Sequence, residues 1–156
     1  MSRQHRIGVA AIALVVAGAW NSSTERDVAN AQQRKPMLVT RLFTGADGQT
    51  HAETLDVKLR QQGQGSATEL SETVKVSGLQ FRRTSTAYAL DFHPAPARQY
   101  VVTLSGRGEI ELADGTKIPL TPGHILLAED TTGKGHISRA IGSEDRLSLF
   151  IQLADK

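Results

Sequence analysis

The sequence predicts an all-β protein, an antiparallel jelly roll or β-barrel preceded by a cleavable N-terminal helix. Two observations predict the β-domain. Between Ala87 and Ile141, four short apolar runs follow one another across Gly-rich turns: Tyr100 to Leu104, Glu109 to Leu112, His124 to Ala128 and His136 to Ile141. Runs of about 5 residues at a spacing of roughly 8–12, with turn signals between them, are the pattern of sandwiches and barrels. Outside this stretch, apolar residues recur at period 2, at Leu55, Val57 and Leu59 and at Leu147, Leu149, Ile151 and Leu153. That spacing marks strands with one buried face.

The length of 156 residues allows one domain plus extensions, and 39% hydrophobic residues suffice to cover a barrel. The absence of cysteine excludes disulfides, thiolate metal sites and a cysteine nucleophile.

Arg3, His5 and Arg6 form a positive N-terminal region ahead of residues 7–20, which are uncharged and largely apolar. Such a run is short for a membrane span of about 20 residues and suits a signal-peptide core of roughly 7–15. Ala29-Asn30-Ala31 offers small residues for cleavage, and Ala17-Gly18-Ala19 is an earlier candidate. The expected organisation is a signal peptide at residues 1–31, a flexible mature N-terminus at 32–36 and the β-domain at 37–156. An uncleaved anchor is the alternative. Export implies a periplasmic or secreted protein with no stable membrane span after cleavage. Losing residues 1–31 removes three arginines, one Glu and one Asp, which takes the net charge from +2 to +1. With no basic run or aromatic-interleaved patch, nucleic acid is not an expected partner.

Taken in order, Met37 to Phe43 reads as a strand closed by Gly45-Ala46-Asp47-Gly48, and His51 to Leu59 as a second. His51, at a strand start, reads as solvated. Residues 61–66 form a loop by composition. Leu70 to Val76, whose pattern also allows a short helical turn, and Leu79 to Arg83 read as two further strands. The adjacent Arg82 and Arg83 point to opposite faces, so one of them can face a cavity and hold an anionic ligand. Tyr88, Leu90 and Phe92 alternate with Ala89, Asp91 and His93, which makes the first three a packed face and puts Asp91 and His93, with small Ala89, on the other. Pro94 and Pro96 keep the next segment extended. The closing strand, Arg146 to Leu153, has Leu147, Leu149, Ile151 and Leu153 as its expected core face.

From His93 to His136 the chain resembles the cupins, whose two motifs are each a strand, a turn and a strand. Gly106 matches the last glycine of the first motif, His93 its first histidine, Gln99 its glutamate position and Ala95 its second histidine position. Gly115, Pro119 and Pro122-Gly123 match the second motif, with His136 as its histidine beyond the longer loop Glu129 to Gly135. The resemblance covers about residues 80–153 and extends to small bacterial cupins with the runs Gln-Tyr-Val-Val-Thr-Leu-Ser-Gly and Glu-Asp-Thr-Thr-Gly-Lys-Gly-His. It implies a cavity whose mouth holds His93 and His136 facing one another, a small-molecule ligand, and a homodimer formed through outer sheet faces.

The family's metal site normally has three histidines and one glutamate. Here two histidines remain and a neutral amide replaces the carboxylate, so His93, Gln99 and His136 make a reduced ligand set for Fe, Mn, Ni or Zn. Asp91 or Glu129, turned inward, would restore the negative charge. His124, after Pro122-Gly123, reads as a solvated or turn-stabilising residue and is not counted as a ligand.

Three functions stay open. One is a metal-dependent oxygenase or isomerase with His93, Gln99 and His136 as ligands. Another is a metal-free isomerase or lyase, with His93 or His136 moving a proton, Asp91 orienting an imidazole and Arg82 binding the substrate with Gln99. The last is a non-catalytic binding module. Gly106-Arg107-Gly108 and Gly133-Lys134-Gly135 lack the spacing of a phosphate loop and read as turns. No serine sits in a hydrolase triad pattern.

Overall fold

A computed structural model of the protein describes residues 35–154. The expected signal peptide and its cleavage sites lie outside the described residues. Among the described residues there are twelve strands and no helix, and none long and apolar enough to cross a membrane. The strands are β1 (Leu38–Thr44), β2 (Thr50–Asp56), β3 (Arg60–Gln61), β4 (Glu69–Leu70), β5 (Val76–Thr84) and β6 (Ala89–His93). They continue as β7 (Gln99–Ser105), β8 (Arg107–Glu111), β9 (Lys117–Leu120), β10 (Ile125–Glu129), β11 (His136–Ile141) and β12 (Arg146–Leu153).

The expected all-β class holds, but the barrel is not closed. One sheet has six strands in the order β2-β1-β10-β7-β12-β5, and a second has four, β6-β11-β8-β9. β3 and β4 form a separate two-stranded ribbon. Nor is the pairing wholly antiparallel, because β1 runs parallel to β10, with Thr40 opposite Leu126. The two strands expected at 70–76 and 79–83 are instead the two-residue β4 and one long edge strand, β5.

The core lies between the two large sheets. Leu42, Val101, Ile110, Leu112, Ile118, Leu120 and Leu126 are its buried members, with Phe150 packed against them. On β7, Gln99, Val101 and Thr103 are buried while Tyr100 and Val102 are only partly so. This alternation fixes which face turns inward. The same rule overturns one expectation. On β12 the inward face carries Arg146, Ser148, Phe150 and Gln152, three of which line the interior cavity, and the leucine stripe turns outward. The outer face is itself apolar, with Leu79 and Phe81 of β5 exposed at 51% and 82%. Both faces of this sheet therefore have apolar residues, and alternation alone cannot orient it.

A second departure lies on β6. His136 stands opposite His93, but Ser138 stands opposite Leu90, so a bulge at Asp91 and Phe92 breaks the two-residue period. Tyr88, Leu90 and Phe92 consequently do not share a packed face. Tyr88 lines the cavity, Leu90 is 44% exposed, and Phe92 lies beneath the Lys134 ammonium at 4.1 Å.

Gly135 explains the Gly-Lys-Gly segment. Its φ is +74°, and a Cβ there would stand 2.0 Å from the carbonyl carbon of His93. The loop before β11 can thus lie directly on the chain after β6. Gly135→Ala is expected to cost about 3 kcal/mol or more, from backbone strain and displacement of His93. Gly115→Ala, with a similar φ of +83° but open space around it, should cost only about 1 kcal/mol. Urea unfolding midpoints of the two variants check this difference.

Candidate functional site

The bulge, the Gly135 contact and the inward parity of β7 and β12 together frame one interior cavity of about 150 Å³. His93, Gln99, His136, Tyr88, Arg146 and Phe150 line it. His93 and His136 are cross-strand neighbours on β6 and β11, not residues facing one another across a barrel mouth. Their ring centroids are 4.7 Å apart with the planes tilted by 53°.

Each imidazole is oriented through Nδ1. His93 Nδ1 lies 2.7 Å from the backbone oxygen of Asp91, to which a protonated Nδ1 donates. His136 Nδ1 lies 2.6 Å from Oδ2 of Asp130, which also accepts a hydrogen bond of 2.9 Å from Thr50 Oγ1. Asp130 has no exposed surface, and its backbone oxygen accepts from the Ala95 N–H at 3.0 Å. A carboxylate on Nδ1 selects the tautomer that leaves Nε2 with its lone pair free. Among the described residues no protein partner meets His136 Nε2. The arrangement can take up a proton at Nε2 and stabilise the resulting imidazolium.

Gln99, 4% exposed at the start of β7, is in the cavity wall as expected. Arg82 also lines the cavity, with its guanidinium 4.9 Å from the Phe150 ring and 5.3 Å from the Tyr88 ring. Arg83, on the opposite face, lies 3.6 Å from Asp145. Asp91 does not line the cavity. The bulge turns it outward, where its Oδ1 accepts from the Phe92 N–H at 2.8 Å, so its contribution to His93 comes from its backbone. Glu129 is also held away, on Arg41 at 2.6 Å and on Arg98. Burial alone would raise the Glu129 carboxyl, but the hydrogen bonds from Arg98 and Arg41 outweigh it and hold the group below its ordinary range. His51 is exposed and pairs with Asp47 at 3.0 Å, as expected of a solvated residue. His124 is not solvated. Its Nε2 lies 2.9 Å from Thr40 Oγ1 and burial lowers its pKa.

Sequence reasoning missed Asp130 and Arg146. Asp130 sits six residues before His136 in a Gly-rich loop, where no strand period indicates its direction. Arg146 was legible only as the cation sharing a parity with Ser148 and Gln152. It is 5% exposed, and its Nε and Nη1 make no hydrogen bond. Burial first, and then the charge of Arg82, pushes its pKa below the usual arginine value.

The donor set does not fit the implied divalent metal. His93, His136 and Gln99 offer two imidazoles and an amide, and among the described residues no three His, Cys, Asp or Glu side chains gather to hold an ion. Asp130 Oδ2 is engaged by His136 and Thr50, and the guanidinium of Arg146 adds positive charge where a dication would need carboxylates.

No family model and no curated protein sequence matches the chain. Among solved structures, the chain is similar to an RmlC-like cupin. That protein, from Desulfovibrio desulfuricans, shares 14% identity at a TM-score of 0.36, over 93% of this chain and 97% of its own. A second, described as an ethanolamine utilization protein Q from Salmonella typhimurium, shares 14% identity at 0.35, over 78% and 100%. A third, from Neisseria meningitidis, shares 12% at 0.39, over 56% and 90%.

Because the folded Glu129 value is depressed, its ionised form contributes stability above the ordinary carboxyl range. That contribution is lost as pH falls through the lowered folded value. Glu129→Gln is expected to cost roughly 1 kcal/mol at neutral pH, discounted because its arginines are part-exposed, and to flatten the acid limb of stability against pH. Urea titrations between neutral and acid pH measure both effects.

Proposed function

We propose that this is an exported, cupin-type protein that takes one small molecule into the cavity and acts on it by metal-free proton transfer, as an isomerase or lyase. The observation that carries this reading is the 2.6 Å contact between His136 Nδ1 and the fully buried Asp130. In this reading His136 Nε2 removes a proton from the bound molecule, the imidazolium is stabilised by Asp130, and the proton returns to a different atom. His93, held by the Asp91 carbonyl and with its ring 4.7 Å from that of His136, supplies the second proton-transfer group. Gln99 positions the ligand through its amide. The two sequence motifs support the cupin-type assignment by falling on the strands that build the cavity. The N-terminal charge and apolar pattern support export.

Metal content, measured by mass spectrometry on protein made without a metal-binding tag, is expected to equal that of the His93→Ala/His136→Ala double variant. Near-stoichiometric Fe, Mn, Ni or Zn, lost in the double variant, overturns the metal-free reading. Incubation in D₂O with small hydroxy and oxo acids tests the chemistry itself. Deuterium entry at carbon is expected with the wild type, and a fall of about 10²-fold or more with His136→Gln or Asp130→Asn. Equal exchange in those variants removes His136 from the reaction.

A further inference from the structure

Arg146 is the least compensated charge in the described fold. It opens β12 on the inward face, is 5% exposed and lines the cavity. Neither its Nε nor its Nη1 has a hydrogen-bond partner, and no carboxylate among the described residues forms a salt bridge with it. Its neighbour Asp145 turns the other way, to Arg83. A buried charge without a partner costs several kcal/mol, and burial here is not accidental. The local backbone clears space for the side chain, since Gly108 lies so close that a Cβ would stand 3.2 Å from Arg146 Nε.

The surroundings add to the charge instead of cancelling it. Arg82 lies on the same inward face of the adjacent strand, opposite Ser148, and no carboxylate reaches it among the described residues. Its guanidinium is held by the rings of Phe150 and Tyr88, not by an anion. Thr84 and Ser148, one step along the same face, have buried hydroxyl oxygens with no partner. The inward end of β5 and β12 thus presents two cations to the cavity, and the two hydroxyls, outside the residues that line it, do not neutralise them. Asp130 is the one fully buried carboxylate among the described residues, and it stands behind His136 outside the cavity lining, its Oδ2 taken by His136 and Thr50 and its Oδ1 without a hydrogen-bond partner.

We infer that the cavity binds a small organic carboxylate, with Arg146 as its buried anchor and Arg82 as the second cation. This rests on the cavity being the ligand site proposed above and names the class of molecule it takes. A planar guanidinium matches a carboxylate through two parallel N–H donors. A space near 150 Å³ holds a molecule of about six non-hydrogen atoms, the size of benzene in a cavity of comparable volume. With the carboxylate on Arg146, the rest of the molecule extends along the cavity toward His93 and His136. The anionic group and the reacting atoms are therefore handled by different sheets.

Thermal unfolding of the full chain with acetate, propionate or lactate, each against its neutral amide at the same ionic strength, tests the assignment. At tens of millimolar, at least one acid is expected to raise the wild-type Tm and its amide to do so at least about tenfold less effectively by concentration. Arg146→Met should abolish the acid's effect while leaving the ligand-free protein as stable or more stable, because an unpaired buried charge is replaced by an apolar side chain. Arg82→Met should weaken the response without abolishing it. The inference fails if no acid stabilises the wild type, if acid and amide act alike, if Arg146→Met responds as the wild type does, or if that variant is destabilised without ligand. His136→Gln should keep the acid response. Absence of deuterium exchange in the wild type with an Arg146-dependent acid response would sink only the proton-transfer reading, and exchange in the wild type without an Arg146-dependent response would sink only this one.

Discussion

The carboxylate of Asp130 is the interaction on which the rest of the site depends. It is fully buried and receives Thr50 from β2 and His136 from β11, while its own backbone oxygen takes the Ala95 N–H. One residue therefore connects the edge of the six-stranded sheet, the loop after β10, the proline segment after β6 and the first residue of β11. A buried carboxylate is tolerated only where donors reach it, and here both meet Oδ2 while Oδ1 has no hydrogen-bond partner. Those donors come from segments distant in sequence, so the cavity wall forms only when the two sheets have closed on one another. Proton-transfer geometry and closure of the sandwich are two consequences of one contact.

Around that contact the inward faces are divided. On the six-stranded sheet Leu42, Val101 and Leu126 supply apolar packing, and Gln99, Arg146 and Ser148 are buried on the same sheet as polar groups. Each polar residue facing inward removes apolar area that would otherwise stabilise the fold, at roughly 25 cal/mol per Å². A sheet built only for stability would have turned the leucine stripe of β12 inward. That it presents arginine, serine and glutamine to the interior instead is a departure from what stability alone favours, and it supports the ligand site proposed above.

The fold class was legible because its two signals are local. Period-2 alternation and Gly-centred turns depend on a few adjacent residues, and both placed β1, β7, β8, β10, β11 and β12 near their observed bounds. What alternation does not contain is direction. On β12 it separated Leu147, Leu149, Ile151 and Leu153 correctly from Arg146, Ser148, Phe150 and Gln152, then assigned the wrong set to the core, because hydrophobicity is a guide to the interior only when the interior is dry. On β6 the period itself fails at the bulge, which turned Asp91 outward although it lies two residues from His93. The pairing of His93 with His136, 43 residues apart and directly opposed, came from motif resemblance. No rule of local spacing would have found Asp130, whose partners are set by loop closure at Gly135.

The charged groups of the cavity and its imidazoles reach it from different sheets. Arg82 on β5 and Arg146 on β12 belong to the six-stranded sheet, and His93 on β6 and His136 on β11 to the four-stranded one. Asp130 stands behind His136, on Nδ1, and is not itself one of the lining residues. Neither half of the lining is complete until the two sheets pack face to face. The closure that buries Leu42, Val101 and Leu126 therefore also brings the cations and the imidazoles to one space.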